Sequence, residues 1–214
     1  MFVTTYMTKK PVTIFPDTLI PKAKEILRER GFRHLPVTDQ QGVLLGMVTD
    51  RDIRSAFPSS ILEEQERKRI LGRVANSTVE SIMSTSLSSL SLRSTIDDAL
   101  ILLEKQNIGA LPVLDDSNKV IGIFSIRDLM RAYGDLFGLY EKGSVLVSIK
   151  EEGQDTINRI LRTLEKNDIP IIRLVRATQP TEDKKETQVI YIRVQTMNLP
   201  SIKNAMKEAG LTLL

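Results

Sequence analysis

The sequence contains no cysteine, no tryptophan and a single histidine, His34, among its 214 residues. Without cysteine the chain has no disulfide framework, no thiolate metal site and no thiol nucleophile. One histidine also excludes a site with several histidine ligands, and we expect neither a metal nor a catalytic residue. A Ser-His-Asp triad would need a serine in a recognisable nucleophile motif, and we find none. We therefore expect His34 to contact a phosphate or to lie at the surface.

Long apolar runs are missing as well. None approaches the roughly 20 residues needed to span a bilayer, so we expect no membrane partner. The N-terminus lacks the basic start and apolar core of a signal peptide, which predicts a cytoplasmic protein. The net charge is only +3, with basic residues interleaved among acidic ones. Because a phosphate-tracking surface needs a clustered basic face, we expect no nucleic-acid partner either.

An internal repeat organises the first two thirds of the chain. Residues 7–53 align without a gap on residues 83–129, at a constant offset of 76 positions (Met7 on Met83). The copies share Leu-Pro-Val at 35–37 and 111–113, and Arg-Asp at 51–52 and 127–128. Identities at equal spacing over this length indicate a duplicated module.

Each copy predicts the order helix, strand, turn, strand, helix. We expect the first helix to be capped by Pro16-Asp17-Thr18 in one copy and by Ser94-Thr95 in the other, where Ser94 and Asp97 have capping-box spacing. Gly31 and Asn107 suit the left-handed residue that ends a helix.

The pattern Gly-x-x-[Thr/Ser]-x-x-Asp closes each copy at a predicted strand–helix junction. Its members are Gly46, Thr49 and Asp52 in the first copy, and Gly122, Ser125 and Asp128 in the second. Backbone N–H groups at such a junction attract phosphate, and a carboxylate has two oxygens that match the 2′ and 3′ hydroxyls of a ribose. The same spacing is that of a capping box, which begins a helix without any ligand. Both interpretations can hold at once.

These motifs resemble those of CBS (cystathionine-β-synthase) domains, from Met7 to about Arg131. The resemblance implies two βαββα repeats, packed as a pseudo-symmetric pair with two clefts for AMP, ADP, ATP or another adenosyl ligand such as S-adenosylmethionine. By position it assigns Thr49, Asp52, Arg51, Lys9, Lys10, Arg33 and His34 to the first cleft. It assigns Ser125, Asp128, Arg127, Gly109, Ala110 and residues 84–86 to the second cleft. The larger positive charge of the first cleft predicts tighter polyphosphate binding there.

The repeat ends before Gly143, and the remaining residues predict a βαββαβ, ferredoxin-like order. We expect strands at 144–149, 169–175, 188–194 and 211–214, helices at 153–166 and 200–209, and a polar loop at 177–186. After a CBS pair this order resembles an ACT domain, a family that often binds amino acids at dimer interfaces. That family's Asp-x-Pro-Gly turn is Glu151-Glu152-Gly153 here, without the proline. A dimerisation module is the alternative we favour for this part.

The predicted fold class is α/β (α+β), a CBS-domain pair followed by an ACT-like domain. The segments are CBS repeat 1 at 1–57, a charged and solvated linker helix at 58–76, CBS repeat 2 at 77–135 and the ACT-like domain at 142–214. This arrangement resembles the acetoin-utilisation protein B group, which implies a regulator of carbon metabolism with a metabolic enzyme as partner. Our leading hypothesis is a homodimeric, non-enzymatic sensor of adenine nucleotides with no obligatory cofactor. The alternatives are a dimeric scaffold with empty clefts, and an amino-acid sensor that acts through the ACT-like domain.

Overall fold

The computed structural model describes residues 1–180, 186–196 and 198–214. The chain divides into two compact units, residues 1–132 and 133–214. Its helices are α1 (Ile20–Arg30), α2 (Asp50–Ala56), α3 (Glu64–Ala75), α4 (Ile96–Gln106), α5 (Ile126–Leu136), α6 (Thr156–Lys166) and α7 (Leu199–Glu208). Its strands are β1 (Thr8–Lys9), β2 (His34–Thr38), β3 (Leu44–Thr49), β4 (Leu90–Ser91), β5 (Ala110–Leu114), β6 (Val120–Ser125), β7 (Ser144–Lys150), β8 (Ile171–Pro180) and β9 (Glu186–Gln195). Within these described ranges, no helix is both long enough and apolar enough to cross a membrane.

The first helix of each repeat ends as the sequence predicts. Gly31 follows α1 with φ of 66°, and Asn107 follows α4 with φ of 52°, both in the left-handed region. Each helix buries three apolar residues spaced about one turn apart, which fixes the face that packs on the strands. These residues are Ile20, Ala23 and Leu27 in α1, and Ile96, Ala99 and Leu103 in α4.

The starts of these helices differ from the prediction. In α4 the N-cap is Thr95, within the predicted Ser94-Thr95 stretch, but the capping box pairs it with Asp98 instead of pairing Ser94 with Asp97. The Thr95 N–H donates to Asp98 Oδ2 at 2.8 Å, and the Asp98 N–H donates to Thr95 Oγ1 at 3.1 Å. In the first repeat the helix begins after Leu19 rather than after a polar cap, with Pro21 in its first turn. Proline is favoured there because its φ suits a helix and no N–H partner is needed.

The two repeats exchange backbone segments across their sheets. The β2–β3 and β5–β6 hairpins are antiparallel, and each pairs with residues near the start of the other repeat. Lys9 of β1 thus pairs with Gly122 of β6, while Ser84 forms a bridge with Met47 of β3. The two hairpins also meet each other at Val43 and Lys119, which are equivalent positions of the two copies. Each sheet is therefore built from both repeats.

The glycine of each repeated motif makes room for a methionine of the other copy. A Cβ built on Gly46 would lie 2.7 Å from Sδ of Met83. A Cβ on Gly122 would overlap Sδ of Met7 in the equivalent place. Because heavy atoms do not approach so closely, any larger residue at either position would force the methionine side chain to move.

The charged segment between the repeats contains a helix, α3, as predicted, but it is not fully solvated. Its Val74 is 5% exposed and belongs to the hydrophobic core of repeat 1, with Ile70 partly buried against the same core. The prediction of a solvated helix was wrong at this face, since the segment 64–75 closes the core beside Ile20 and Leu27.

The second unit is an antiparallel sheet in the order β7-β9-β8, covered on one face by α6 and α7. The C-terminal residues lie beside β7 but form only an isolated bridge, Leu213 to Ile149, where a strand at 211–214 was predicted. With that bridge the sheet order follows the ferredoxin-like plan. Membership of the ACT family stays a prediction.

The boundaries of several elements in the second unit also differ from the prediction. Helix α6 begins at Thr156 rather than at Gly153, whose φ of 140° is outside the helical range. Strand β8 continues to Pro180 and β9 begins at Glu186, so the ends of the predicted polar loop are paired strand residues. The middle of that loop, 181–185, lies outside the described residues.

Candidate functional site

A cavity of about 570 Å³ in the first unit is lined by both repeats. Such a volume falls in the usual range for small-molecule sites. Repeat 1 supplies Arg33 and His34 and the junction Thr49–Asp52, and repeat 2 supplies Ser84 and the pair Gly109–Ala110. The exchange of segments between the repeats brings these residues together.

The Thr49–Asp52 junction is a complete capping box, as one interpretation of the motif predicted. The N–H and the hydroxyl of Thr49 donate to Asp52 Oδ2 at 2.8 and 2.6 Å, and the Asp52 N–H donates back to Thr49 Oγ1 at 3.3 Å. All three bonds leave Asp52 Oδ1 unused. This oxygen accepts no hydrogen bond from the described residues, although it belongs to a cavity-lining side chain.

The positive charge of the cavity comes from arginine side chains. Arg54 is paired with Asp50 at 2.9 Å, an exposed pair that neutralises both groups. Arg33 and Arg51 form no ion pair with any described residue and lie at the exposed rim. Helix α2 is only seven residues long, so attraction of an anion depends on these side chains rather than on a helix dipole.

His34 begins β2, opposite Thr49, and is half-buried. Burial lowers the pKa of its imidazole, and the neighbouring positive charge of Arg33 lowers it further, whereas Asp52 acts in the opposite direction. Because the ordinary histidine pKa is about 6.5, the imidazole is neutral at pH 7. It therefore offers one donor and one acceptor to a ligand.

The predicted grouping of residues into two clefts was wrong for two sets. Lys9 pairs with Gly122, and Lys10 donates its N–H to the Ile121 carbonyl at 3.1 Å, so both lysines lie beside the strand that ends at Ser125. Gly109 and Ala110, together with Ser84 and Ser86, line the cavity with Thr49 instead. The physical reason is the strand exchange, which places the first residues of each repeat against the other repeat's hairpin.

The second motif has the same capping geometry but a different neighbour. The N–H and hydroxyl of Ser125 donate to Asp128 Oδ2 at 2.9 and 2.7 Å. Arg131 approaches the other oxygen, Asp128 Oδ1, at 3.2 Å and also donates to the Tyr6 carbonyl. Arg127, predicted for this site, is exposed on α5.

Sequence reasoning missed Arg131 and Gln106. Gln106 lines the Thr49 cavity and donates to Ser88 Oγ. A basic residue three positions after the motif's aspartate was a signal available for Arg131. For Gln106, at the end of a helix, we see no signal in the sequence. Within the described part of the chain, no cluster of His, Cys, Asp or Glu side chains could hold a metal ion.

The two repeats with their exchanged segments match a known domain family. The profile of the CBS domain matches residues 3–59 and again residues 79–135. The chain belongs to the CBS domain family. Among curated relatives, the L-aspartate semialdehyde sulfurtransferase of Methanocaldococcus jannaschii is 30% identical over 128 residues. That match takes in 60% of this chain but only 22% of the length of that protein.

Solved CBS structures share the fold of the pair. The CBS domain pair of protein MJ0100, in complex with 5′-methylthioadenosine and S-adenosyl-L-methionine, is 30% identical with a TM-score of 0.52, over 63% of this chain and 100% of that one. CBSX2 of Arabidopsis thaliana, in complex with AMP, is 26% identical with a TM-score of 0.53, over 63% and 97% of the two chains. An acetoin utilization protein (AcuB) from Vibrio cholerae is 25% identical with a TM-score of 0.54, over 66% and 96%.

Proposed function

We propose that this protein is a non-enzymatic regulator that binds an adenosyl ligand, such as AMP, ADP, ATP or S-adenosylmethionine, in the cavity at Thr49 and Asp52. The observation on which this rests is Asp52 Oδ1, a carboxylate oxygen at the cavity that no described group satisfies. A ribose offers two vicinal hydroxyls as donors to such an oxygen, and hydrogen bonds to a charged acceptor are about twice as strong as neutral ones.

The remaining walls of the cavity suit the other parts of an adenosyl ligand. Arg33 and Arg51 lie unpaired at the rim, where they can meet phosphate oxygens or a carboxylate. Gly109 and Ala110 bring backbone to the opposite wall beside the His34 imidazole, which provides donors, acceptors and a flat surface for a base.

The ligands of the related CBS pairs support the adenosyl class rather than one nucleotide. AMP, 5′-methylthioadenosine and S-adenosylmethionine share adenosine and differ in the group attached at the 5′ carbon. In this chain the group on the 5′ carbon would meet the exposed Arg33 and Arg51, so a negatively charged 5′ group such as a phosphate is favoured. This preference defines AMP, ADP and ATP as the first ligands to test.

The regulatory part of the proposal concerns how occupancy is transmitted. A ligand that touches both repeats shifts an equilibrium only if it binds two states of the pair with different affinity. We propose a homodimer in the cytoplasm that acts on a metabolic enzyme in carbon metabolism. The likeness of the pair to the AcuB structure supports that assignment.

Calorimetric titration of the full chain with AMP, ADP, ATP and S-adenosylmethionine tests the ligand class. We expect Asp52→Ala to weaken binding at least about tenfold, because a hydrogen-bonded charge contributes about 1.5–3 kcal/mol. Asp98→Ala is the matched control, since it removes the same capping contact from α4 at a residue that does not line the cavity. Both variants lose the capping contact at the start of a helix, but Asp98→Ala should bind like the parent protein. Equal binding by the two variants, or no heat with any adenosyl ligand, would contradict the proposal.

A further inference from the structure

Asp128 is the equivalent of Asp52 in the second repeat, but both of its carboxylate oxygens are engaged. Oδ2 accepts the N–H and hydroxyl of Ser125, as in the first repeat. Oδ1 accepts from Nη2 of Arg131, and the same guanidinium nitrogen donates to the Tyr6 carbonyl. The oxygen that is unused in Asp52 is therefore occupied in Asp128 by a side chain of the protein itself.

We propose that the Arg131 side chain blocks the ligand position at Ser125 and Asp128. The chain then binds one adenosyl ligand, at Thr49 and Asp52, and not two. This inference rests on the proposed function, because it concerns which copy of the motif is open. Arg131 acts as a specificity-determining residue: its guanidinium takes the place on Asp128 Oδ1 that the ribose hydroxyls would need.

The Asp128 carboxylate is better stabilised by the Arg131 guanidinium than by a ribose. The side chain of Asp128 is 11% exposed, so its charge is poorly solvated and benefits from a positive partner. Both a guanidinium and a ribose hydroxyl can give this carboxylate a charge-assisted hydrogen bond, but only the guanidinium also brings a compensating positive charge. Exchange of Arg131 for a nucleotide would therefore leave a buried carboxylate with a weaker partner, and would free the Tyr6 carbonyl as well.

The first repeat has no arginine at the equivalent position. The position equivalent to 131 is Ser55, an exposed residue with no positive charge. Its neighbour Arg54 is paired with Asp50, and Asp50 is replaced by Ile126 in the second copy. The two motifs thus share their capping geometry and differ in whether a cation covers the aspartate.

The number of AMP molecules bound per chain shows whether the motif at Ser125 and Asp128 is blocked or open. Titration of the full chain with AMP should give one site per chain for the parent protein and two sites for Arg131→Ala, with Arg131→Gln as a second variant. The control Arg93→Ala removes an equal charge from an exposed loop of the same repeat and should keep one site. Two sites in the parent protein, or one site in both Arg131 variants, would overturn the inference.

Placing an arginine at the equivalent position of the first repeat should block the ligand site at Thr49 and Asp52. Ser55→Arg places a guanidinium at the equivalent position of α2, where Asp52 Oδ1 is unused and residue 82 is equivalent to Tyr6. We expect at least a tenfold loss of AMP affinity at the Thr49 cavity, without loss of folding by circular dichroism. Unchanged affinity in a folded Ser55→Arg protein would count against an arginine as the blocking group.

A measurement without ligand separates this inference from the proposed function. In a double-mutant cycle, Arg131→Ala and Asp128→Asn should lower the unfolding midpoint less together than the sum of the single changes, because they remove the same contact. If no protein binds AMP but the two changes are coupled, the proposed function fails and Arg131 still occupies Asp128. If the two changes are additive, the occupation of Asp128 by Arg131 is refuted whatever the chain binds.

Discussion

Gly109 of the second repeat faces the imidazole of His34 of the first repeat across the wall of the cavity. A Cβ built on Gly109 would lie 3.0 Å from Cε1 and 3.1 Å from Nε2 of His34. The Gly109 carbonyl is fixed from the other side, since it accepts the N–H of Ile126 at 3.1 Å. This contact joins the two repeats at the proposed ligand site, and each residue limits where the other can lie.

Replacing Gly109 with alanine should weaken AMP binding several-fold. The added methyl group is closer to His34 than nearly all such contacts allow, so the imidazole, which lines the cavity, must shift from its present position. Calorimetric titration measures the effect. Gly72→Ala is the control, because a Cβ there meets no described atom within 4 Å and the residue lies in α3. That change should stabilise the helix by about 0.5–1 kcal/mol and leave AMP affinity unchanged. Normal affinity in Gly109→Ala would show that His34 can move without affecting the ligand.

The imidazole of His34 should titrate below its ordinary pKa of about 6.5 in the free protein. Burial disfavours the charged form most, followed by repulsion from Arg33, and attraction to Asp52 is too small to compensate. Since the chain has one histidine, its NMR signals are assigned without ambiguity. AMP brings a negative phosphate into the cavity, so we expect the pKa of His34 to rise on binding, and an unchanged pKa in the AMP complex would contradict this.

The lowered pKa of His34 also predicts how the free energy of unfolding depends on pH. The folded pKa lies below the unfolded value, so the unfolded chain binds more protons in this interval. The stability contributed by neutral His34 is complete above about pH 6.5 and is lost as the pH falls through the folded pKa. The free energy of unfolding of His34→Gln should therefore fall less than that of the parent protein between pH 7.5 and pH 5. Parallel pH profiles of the two proteins would contradict this sign.

Much of the first unit could be predicted from sequence because its signals are local. The left-handed ends at Gly31 and Asn107 and the capping boxes at Thr49 and Ser125 each depend on a few consecutive residues. The gapless repeat then placed equivalent residues in register. These features need no knowledge of how distant segments meet.

The errors arose where distant segments meet. Lys9 was assigned to the wrong motif because strand exchange between the repeats leaves no local trace in the sequence. Arg131 could have been found from its spacing to Asp128, but its second contact, with the Tyr6 carbonyl, joins residues far apart in the chain. The C-terminal residues have an apolar strand pattern, but at the sheet edge only Leu213 forms a bridge.

The glycines of the two motifs should differ in their tolerance of alanine. A Cβ on Gly46 would meet Met83 and also lie 3.1 Å from the Ser84 carbonyl oxygen, which accepts the Met47 N–H at 2.9 Å. The nearest atoms at Gly122 all belong to the flexible Met7 side chain. Overpacking typically costs about 1–3 kcal/mol, so we expect Gly46→Ala near the upper end of that range.

The control for this comparison is rescue by a smaller neighbour. In urea unfolding, Met7→Ala should recover part of the stability lost in Gly122→Ala, because it removes the overlapping side chain. Met83→Ala should recover less in Gly46→Ala, where the backbone contact remains. Equal losses and equal rescue at the two glycines would mean that the Ser84 carbonyl does not resist the added methyl group.

In the second unit, Arg176 is the partner of a carboxylate that is almost buried. The Glu151 side chain is 8% exposed; its Oε1 accepts from Arg176, and its Oε2 is buried without a hydrogen-bond partner among the described residues. Arg176→Ala should destabilise this unit by about 1–3 kcal/mol, because it leaves a poorly solvated charge unpaired, although the exposed half of the arginine reduces the effect.

Removing the negative charge of Glu151 should restore most of the stability that Arg176→Ala loses. Adding Glu151→Gln to Arg176→Ala replaces the unpaired carboxylate with a neutral amide of the same shape, which is far less costly to bury. Hydrogen exchange of the β7 and β8 amides reports on the second unit by itself, which a global unfolding curve of a two-unit chain does not. Arg162→Ala, at an exposed position of α6, should change exchange by less than about 0.5 kcal/mol. If Arg176→Ala behaves like Arg162→Ala, the Glu151 carboxylate is solvated without its partner.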